Sequence, residues 1–420
     1  MSPSRDASPV RNWAGNVTFA STDLRSPTSV EQLQHLVARA ERVHALGTRH
    51  SFSRLADTDG TFVSCAALEE PIVIDSAAAL VWVPAGCRYG ELATALQEAG
   101  WALGNLGSLP HISVAGACAT GTHGSGDTNR CLAAAARSIE YVRADGELIT
   151  RSAKDPDWAG SVLALGALGV TTRLALEIEP SYDIRQDVWL DLPLPTYLDR
   201  FDEIMGAGYS VSVFTDWSRR DTLDLVWVKS RVDATVADGL AWGARAATTA
   251  QHPVRGHDAS AATEQLGRPG PWAQRLPHFR LQFTPSVGHE QQSEYLLPRE
   301  HAAAAVAALA RLELRPPLLV CEIRTIAADQ LWLSPCGGRD TVALHFTWAD
   351  DDTAVARAVT AVENALIEFD PRPHWGKVFG AVAAEGIRTR YPRAADFRRL
   401  VTREDPDRKF GNEFLSRFVY

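Results

Sequence analysis

Apolar residues in the first half of the chain recur at two spacings, and each spacing predicts a different kind of element. The 3.6-residue period of a helix runs over 30–40, where Ser29 is suited to cap the first turn, and again over 89–99, which Gly100 ends. Short apolar runs predict strands at 43–46, 72–74 and 80–83. Helices and strands therefore alternate in this part of the chain.

Two further segments depart from this alternation in different ways. The apolar runs at 139–142 and 147–150 flank Asp145-Gly146, a dipeptide typical of a tight β-hairpin turn. The segment 105–129 is instead crowded with glycine, serine and threonine and keeps no period. It is predicted to be a long loop, either functional or disordered.

The amino-acid composition changes near 180–185, where we place a domain boundary. Most of the tryptophans lie beyond it, together with a stretch rich in proline and glycine at 252–271. In this second part, periodicity predicts helices over 298–311 and 353–369 and strands over 318–325 and 342–348.

The composition is that of a folded protein with an acidic surface. The 420 residues are 45% hydrophobic, enough for two packed domains, and the formal net charge of −9 leaves no broad basic surface for nucleic acid or an anionic membrane. The six cysteines form no C-x-x-C pair, so neither a metal site nor a disulfide framework is expected, and a reducing cytoplasm fits best. The start of the chain, 1–12, lacks the apolar stretch of a signal peptide, and no segment stays apolar for about 18 residues.

Common nucleotide-binding motifs are absent from the chain. There is no G-x-G-x-x-G after the first strand and no G-x-x-x-x-G-K-[ST]. Two glycine-containing loops, 47–52 and 116–126, can present backbone N–H groups to phosphate oxygens without adding positive side chains. That property suits an acidic protein, although either loop by itself is equally an ordinary turn.

Polar and apolar residues alternate along the two strands at 318–325 and 342–348. Because alternate residues of a strand face the same side, Glu322 shares a face with Arg324, and His345 shares one with Thr347. A solvated sheet surface explains one such pair, but two stripes together favour a shared pocket. Lys377 lies in a segment rich in proline and aromatic residues and is a further candidate, or a plain loop lysine.

These residue types suit the oxidation of an alcohol. As the alkoxide develops, its negative charge must be held by cations, a role suited to Arg324 and Lys377. Glu322 would keep those cations in place, and His345 would accept or share a proton near neutral pH. No side chain takes up a hydride, so a cofactor must do so.

Seven further motifs follow one another almost from end to end: N-W-A-G-N at 12–16, G-T-R-H-S-F at 47–52, G-S-L-P-H-I-S-V-A-G at 107–116, T-G-T-H-G-S-G at 120–126, L-G-A-L-G-V at 165–170, H-F-T-W at 345–348 and H-W-G-K-V-F at 374–379. With E-I-R-T at 322–325, they make the chain resemble the vanillyl-alcohol-oxidase-type FAD enzymes and, within them, the bacterial alditol (xylitol) oxidases. The resemblance implies an α+β, two-domain FAD-binding fold with a substrate domain of antiparallel sheet and helices. The FAD-binding domain would comprise 10–182 and 378–420, with the substrate-binding domain at 183–377 between them, in a monomer.

The resemblance also implies how FAD is held. By match, His50 bonds covalently to the flavin 8α-methyl group; the less favoured alternative is a loop histidine bonded to backbone. Many members of the family have glycine before that histidine, where this chain has Arg49. The difference concerns the backbone conformation expected for the loop, not the covalent bond. The other cofactor contacts carried over are Gly47, Thr48, Arg49, Ser51, Ser108, Ser113, Gly116, Thr120, Gly121, Thr122, His123, Val170 and His374.

The same match implies the reaction: oxidation of the terminal primary alcohol of an alditol such as xylitol or sorbitol to the aldose, with oxygen reduced to hydrogen peroxide. Small Gly107 beside Ser108 leaves space for oxygen and favours an oxidase over a dehydrogenase that uses another acceptor. The alternatives are an aldonolactone oxidase or dehydrogenase, against which E-I-R-T and H-F-T-W argue, and a non-catalytic flavin- or carbohydrate-binding protein. The substrate contacts carried over are Ser108, Glu322, Arg324, His345, Thr347 and Lys377.

Overall fold

The computed structural model describes residues 9–235, 238–283 and 290–420. Most of the segment in which no signal peptide was predicted lies outside these residues, at 1–8. Among the described residues, no helix is long and apolar enough to cross a membrane. The same part of the chain holds no group of three or more His, Cys, Asp or Glu side chains placed to bind a metal ion.

Helices and strands alternate along the chain, and both range from short pieces to longer elements. The helices are Val30–Arg39 (α1), Tyr89–Glu98 (α2), Val114–Thr120 (α3), Trp158–Ser161 (α4), Leu194–Asp199 (α5), Phe201–Met205 (α6), Trp272–Arg275 (α7), Ala302–Leu309 (α8), Asp352–Leu366 (α9), Ala381–Ala384 (α10), Ala394–Glu404 (α11) and Glu413–Phe418 (α12). The strands are Leu24–Arg25 (β1), Val43–Ala45 (β2), Thr61–Val63 (β3), Val73–Asp75 (β4), Leu80–Pro84 (β5), Trp101–Ala102 (β6), Ala136–Val142 (β7), Leu148–Ser152 (β8), Val170–Glu177 (β9), Glu179–Pro180 (β10), Asp183–Pro193 (β11), Ser210–Thr215 (β12), Thr222–Arg231 (β13), Arg245–Ala246 (β14), Gly270–Pro271 (β15), Glu290–Pro298 (β16), Leu318–Ile326 (β17), Thr341–Ala349 (β18) and Arg372–Pro373 (β19).

The first two helices form where their apolar period predicts them. Ser29 caps α1, because its Oγ accepts a hydrogen bond from the Gln32 N–H at 3.2 Å. Leu33 and Val37, on the inner face of this helix, are fully buried. Beyond the end of α2, Gly100 adopts a φ of +79°, a left-handed conformation that glycine takes without strain.

A five-stranded antiparallel sheet in the order β4-β5-β9-β7-β8 forms the centre of the first part, and a parallel three-stranded sheet in the order β1-β3-β2 accompanies it. The predicted hairpin is confirmed, since β7 pairs with β8 around the Asp145-Gly146 turn. The prediction of an unbroken loop over 105–129 is wrong, because α3 lies within it. This helix consists mostly of small residues, so it buries Ala117 and Cys118 without producing a recognisable apolar period.

A nine-stranded sheet forms the centre of the second part. Its order is β14-β11-β13-β12-β17-β18-β16-β19, with β15 also paired to β11, and its pairings are antiparallel. Helices α5, α6, α8 and α9 cover one face, where Tyr197, Val306 and Val359 are buried in one apolar cluster. The other face carries the polar residues of the candidate site.

The C-terminal helices return to the first part of the chain. Phe397 of α11 and Leu415 of α12 belong to the same buried cluster as Val83 and Leu174 of the five-stranded sheet. The strands of the nine-stranded sheet lie between these two contributions in sequence, from Asp183 onward. The domain limits at 182/183 and 377/378 stay predictions.

Arg49 has a φ of +63°, in the left-handed region that favours glycine. We expect Arg49→Gly to be more stable than Arg49→Ala by about 1 kcal/mol, because both remove the side chain but only glycine removes the Cβ that makes this conformation costly. Thermal denaturation of the two flavin-loaded variants measures the difference. Equal melting temperatures at equal flavin content would contradict the assignment of strain to this residue.

Candidate active site

The two glycine-containing loops predicted to hold FAD lie against each other. Thr48 Oγ1 accepts a hydrogen bond from the Ser113 N–H at 3.2 Å. A Cβ on Gly47 would lie 2.7 Å from Ser113 Oγ and 3.9 Å from Gly116 Cα, so glycine at this position leaves room for the Ser113 side chain beside the backbone of the second loop. Closely packed glycine-rich backbone of this kind fits a cradle for a diphosphate.

The loop 47–52 is also bound to the segment that carries Lys377. The N–H of Phe52 donates to the Gly376 carbonyl at 2.7 Å, and Lys377 Nζ lies 5.1 Å from the centre of the Phe52 ring. His50 and Lys377, which are 327 positions apart in sequence, are thereby brought to one place. The structure thus joins the predicted cofactor loop to a predicted catalytic residue.

His50 presents an unsatisfied nitrogen. Its ring is half-buried and stacks on Trp13, with centroids 5.1 Å apart and planes 18° apart. Its Nδ1 is buried and has no hydrogen-bond partner among the described residues. Burial lowers the pKa of His50 to about 4 despite the opposing effect of the Thr48 carbonyl, so the imidazole is neutral at pH 7. A neutral, unpaired ring nitrogen fits a residue that forms a bond to the flavin.

The remaining predicted cofactor contacts fall into two groups. Thr120 and Thr122, with side-chain oxygens 3.3 Å apart, are partly accessible, and the buried His123 and His374 rings lie 6.0 Å apart. These residues are therefore gathered near one another. Val170 differs, because the whole residue is buried in an apolar cluster, and its contact with the cofactor stays a prediction.

The polar stripes on the two strands do lie on a common face. Glu322 of β17 is directly opposite His345 of β18, which is itself opposite Glu294 of β16. Arg324 and Thr347 lie two residues along their strands, and all five side chains are less than a tenth exposed. A solvated sheet surface is thereby excluded, because charged side chains buried to this degree need partners within the protein.

Arg324 is the centre of a buried ion network. It donates to Glu294 Oε1 at 2.6 Å, lies 3.6 Å from Glu322 Oε1, and approaches Ser108 Oγ at 3.4 Å. Burial alone would raise the pKa of Glu322, but Arg324 and His278 outweigh it and hold that pKa well below its usual range. Two carboxylates thus stay ionised around one guanidinium, which fixes its orientation.

Gln292 connects Lys377 to His345. A lysine ammonium can only donate, so the Gln292 atom that Lys377 approaches is the oxygen, and His345 Nε2 lies 3.1 Å from the same oxygen. His345 therefore carries its hydrogen on Nε2, and its Nδ1 is left as a buried acceptor without a partner among the described residues.

The ionisation of these two residues follows from their surroundings. Burial lowers the pKa of His345 to about 3, so the ring is neutral at pH 7 and offers Nδ1 as an acceptor. Its role in accepting or sharing a proton stays a prediction. Desolvation also lowers the pKa of Lys377 to about 8, although part of this side chain is accessible. At pH 7 the site therefore presents two cations and one neutral imidazole.

Four polar residues of the site were missed from sequence. Gln292 and Glu294 alternate along β16 as the predicted pairs do along their strands, so the same period-two argument would have found them. Lys229 also lies on a strand, among apolar neighbours, whereas His278 lies in an irregular segment with no periodic signal. Only the folded chain brings these two residues to Glu322.

Comparison with known proteins shows to which family the chain belongs. Residues 24–152 match the model of the FAD binding domain, and residues 283–418 match that of D-arabinono-1,4-lactone oxidase. An alditol oxidase of Streptomyces sp. (strain IKD472 / FERM P-14339) is 50% identical over 411 residues, covering 97% of this chain and 98% of the relative. The chain belongs to the alditol oxidase family.

A more distant relative and a protein of similar structure are named for other compounds. An L-gulono-1,4-lactone dehydrogenase of Mycobacterium tuberculosis is 30% identical, over 97% of this chain and 98% of its own. The crystal structure of cholesterol oxidase from B. sterolicum has a TM-score of 0.79 at 13% identity and covers 98% of this chain and 96% of its own, which shows the fold alone. The predicted family, the fold class and the assignment as an FAD-dependent enzyme are confirmed.

Proposed function

We propose that this alditol oxidase family member oxidises the terminal primary alcohol of alditols such as xylitol and sorbitol to the aldose and passes the electrons to oxygen, giving hydrogen peroxide. The observation that carries the proposal is one buried polar face that presents Arg324, Lys377 and the free Nδ1 of His345 together. Cations and a neutral acceptor are what a developing alkoxide and its proton require. The relative's name, alditol oxidase, supplies the substrate class.

Charged and neutral side chains have different roles in the proposed reaction. Arg324 and Lys377 hold the oxygen of the reacting alcohol, where negative charge develops. Glu322 and His345 accept hydrogen bonds from hydroxyl groups, and Thr347, buried beside them on β18, is placed to bind a further hydroxyl. Ser108 is half-buried near Arg324 and is the last of the residues to which we assign a contact with the substrate.

FAD, bound to this chain, supplies the hydride acceptor that no side chain can provide. We assign its covalent attachment to His50, whose unpaired Nδ1 fits that bond, and its other contacts to the two glycine-containing loops with His123 and His374. A Cβ on Gly107 would meet Thr122 Cγ2 at 3.6 Å, an ordinary contact, so glycine leaves room for about one methyl group beside these loops. We assign this space to the approach of oxygen.

Two broader assignments complete the proposal. The free thiols of all six cysteines suit a reducing compartment, and we place the enzyme in the cytoplasm. We also expect it to act as a monomer, with a small polyol and oxygen as its only reaction partners.

A lactone substrate is the second candidate. It is favoured by the D-arabinono-1,4-lactone oxidase match at 283–418 and by the 30%-identical lactone dehydrogenase. An aldono-1,4-lactone closes its C4 oxygen into the ring and so lacks the unbroken row of hydroxyl groups that the acceptors Glu322, His345 and Thr347 suit, and we rank it below an alditol.

Anaerobic mixing of the purified flavoprotein with xylitol or sorbitol tests the proposal. We expect the visible flavin absorbance to bleach and, once oxygen is admitted, to recover with formation of hydrogen peroxide. Bleaching by L-gulono-1,4-lactone but by neither alditol would establish the second candidate. Bleaching without recovery in oxygen would indicate a dehydrogenase, and no bleaching by any of these compounds would indicate a binding protein.

A further inference from the structure

A lysine with no role in the proposed chemistry lies buried behind Glu322. Lys229 of β13 is 1% exposed, and its Nζ donates to the backbone carbonyls of Leu276 at 2.6 Å and Pro277 at 2.9 Å. Its third contact is Nδ1 of His278, at 3.3 Å. The other ring nitrogen of His278, Nε2, lies 2.7 Å from Glu322 Oε1. A continuous polar path therefore runs from Lys229 to the substrate face.

The direction of each hydrogen bond in this path is determined. The ionised carboxylate of Glu322 can only accept, so His278 Nε2 donates to it and Nδ1 is the acceptor that faces Lys229. Burial lowers the pKa of Lys229 to about 7, and its ammonium form donates to this Nδ1. The single hydrogen of the neutral imidazole is therefore on Nε2, from which it is donated to Glu322. Burial lowers the pKa of His278, and nearby Lys229 and Arg324 lower it further, which keeps the ring neutral although Glu322 opposes this. Lys229 thus selects the tautomer that can hold Glu322.

The His278 ring is also fixed in place. Phe214 and Trp227 meet it edge-to-face, with centroid distances of 5.8 and 5.2 Å. The backbone N–H groups of His278 and Phe279 both donate to the Ser108 carbonyl, at 3.1 and 3.3 Å. The segment that holds Glu322 therefore also holds a second predicted substrate contact.

Only one oxygen of the Glu322 carboxylate is engaged in this way. His278 and Arg324 both approach Oε1, whereas no hydrogen bond to Oε2 is found among residues 9–235, 238–283 and 290–420. A carboxylate held through one oxygen presents the other in a fixed direction. That second oxygen is available to a hydroxyl group at the substrate face.

We propose that His278 is a positioning residue that holds Glu322 through Oε1 and leaves Oε2 to accept a hydrogen bond from a substrate hydroxyl, and that Lys229 fixes the tautomer His278 needs for this. The inference rests on the proposed oxidation of alditols. It assigns His278 and Lys229 to substrate recognition, with no contact to the reacting carbon.

Two amide substitutions of His278 separate positioning from general packing. Glutamine carries its N–H₂ group at the distance of Nε2 and can still donate to Glu322, whereas the shorter asparagine cannot reach it. In flavin-loaded protein, we expect His278→Asn to raise the KM for xylitol about tenfold or more, the effect of losing a hydrogen bond to a charged group. His278→Gln should keep KM within about threefold of the wild type, and both should change kcat much less.

Lys229→Met tests the tautomer directly. It should raise KM about tenfold in the otherwise wild-type enzyme and should add nothing in a Lys229→Met/His278→Gln double variant, because an amide has no tautomer to select. Equal KM values for the Gln and Asn variants, or a Lys229→Met effect that persists in the double variant, would overturn the proposal. A wild-type enzyme that no alditol reduces would instead refute the proposed function, before any variant is compared.

Discussion

Replacing Lys377 with methionine is expected to slow flavin reduction by xylitol about 10²–10³-fold, the loss typical when one group that stabilises developing negative charge is removed. Methionine keeps an unbranched side chain as far as Cε and removes the ammonium group with its charge and hydrogen bonds. The ammonium donates to Gln292 Oε1 beside His345, so its loss removes one cation from the reacting oxygen and one donor from Gln292. The effect should appear in the rate at saturating substrate.

Stopped-flow absorbance under anaerobic conditions measures this rate without the oxygen step. Lys154→Met is the matched control, since Lys154 is exposed in a turn after β8 and makes no contact with the site. The control should reduce its flavin at the wild-type rate. Flavin reduction by Lys377→Met at an undiminished rate, with full flavin content, would remove Lys377 from the catalytic set.

The nine-stranded sheet shows what local sequence can predict about such a site. Strand periodicity places Glu322 and Arg324 on one face whatever their partners are, and that prediction is confirmed. The ion pair between Arg324 and Glu294 depends on β18 lying between β17 and β16, which is a matter of sheet order. Sheet order is decided by packing over the whole chain, so the pair could not be predicted from one strand.

The helix α3 and the lowered pKa of His345 could not be predicted for similar reasons. The sequence V-A-G-A-C-A-T of α3 resembles a loop in composition, and it becomes a helix because Ala117 and Cys118 fit a tightly packed core. His345 is predicted from sequence to accept or share a proton near neutral pH, the ordinary range of histidine. Its pKa falls to about 3 because the folded chain buries the ring, which its position on a strand does not show.

His50 raises a different question, because sequence match and geometry support its role independently. The match assigns it the flavin bond, and the structure leaves Nδ1 buried and unpaired on a ring that stacks against Trp13. A buried polar atom without a partner is unfavourable, so such atoms are rare in folded proteins and mark a missing interaction. A bond to the flavin would give this nitrogen the partner that it lacks.

We therefore expect His50→Ala to abolish covalent attachment of the flavin completely. After denaturation, wild-type flavin should stay with the polypeptide, whereas the variant should release all of it into the supernatant. Since loss of the link also removes an electron-withdrawing substituent, the flavin of the variant should have a lower reduction potential and accept hydride from xylitol more slowly. Absorbance of the acid-precipitated protein and a redox titration measure the two effects.

His111→Ala is the control for this experiment. His111 is half-buried near the cofactor loops and also leaves its Nδ1 without a partner among the described residues, but its Nε2 faces the Leu281 carbonyl at 2.9 Å and no flavin bond is assigned to it. The control should keep its flavin through denaturation. If wild-type protein itself releases its flavin, the bond is absent, and the unpaired Nδ1 of His50 must be satisfied by a non-covalent contact. If His50→Ala keeps its flavin, the bond is made by another residue.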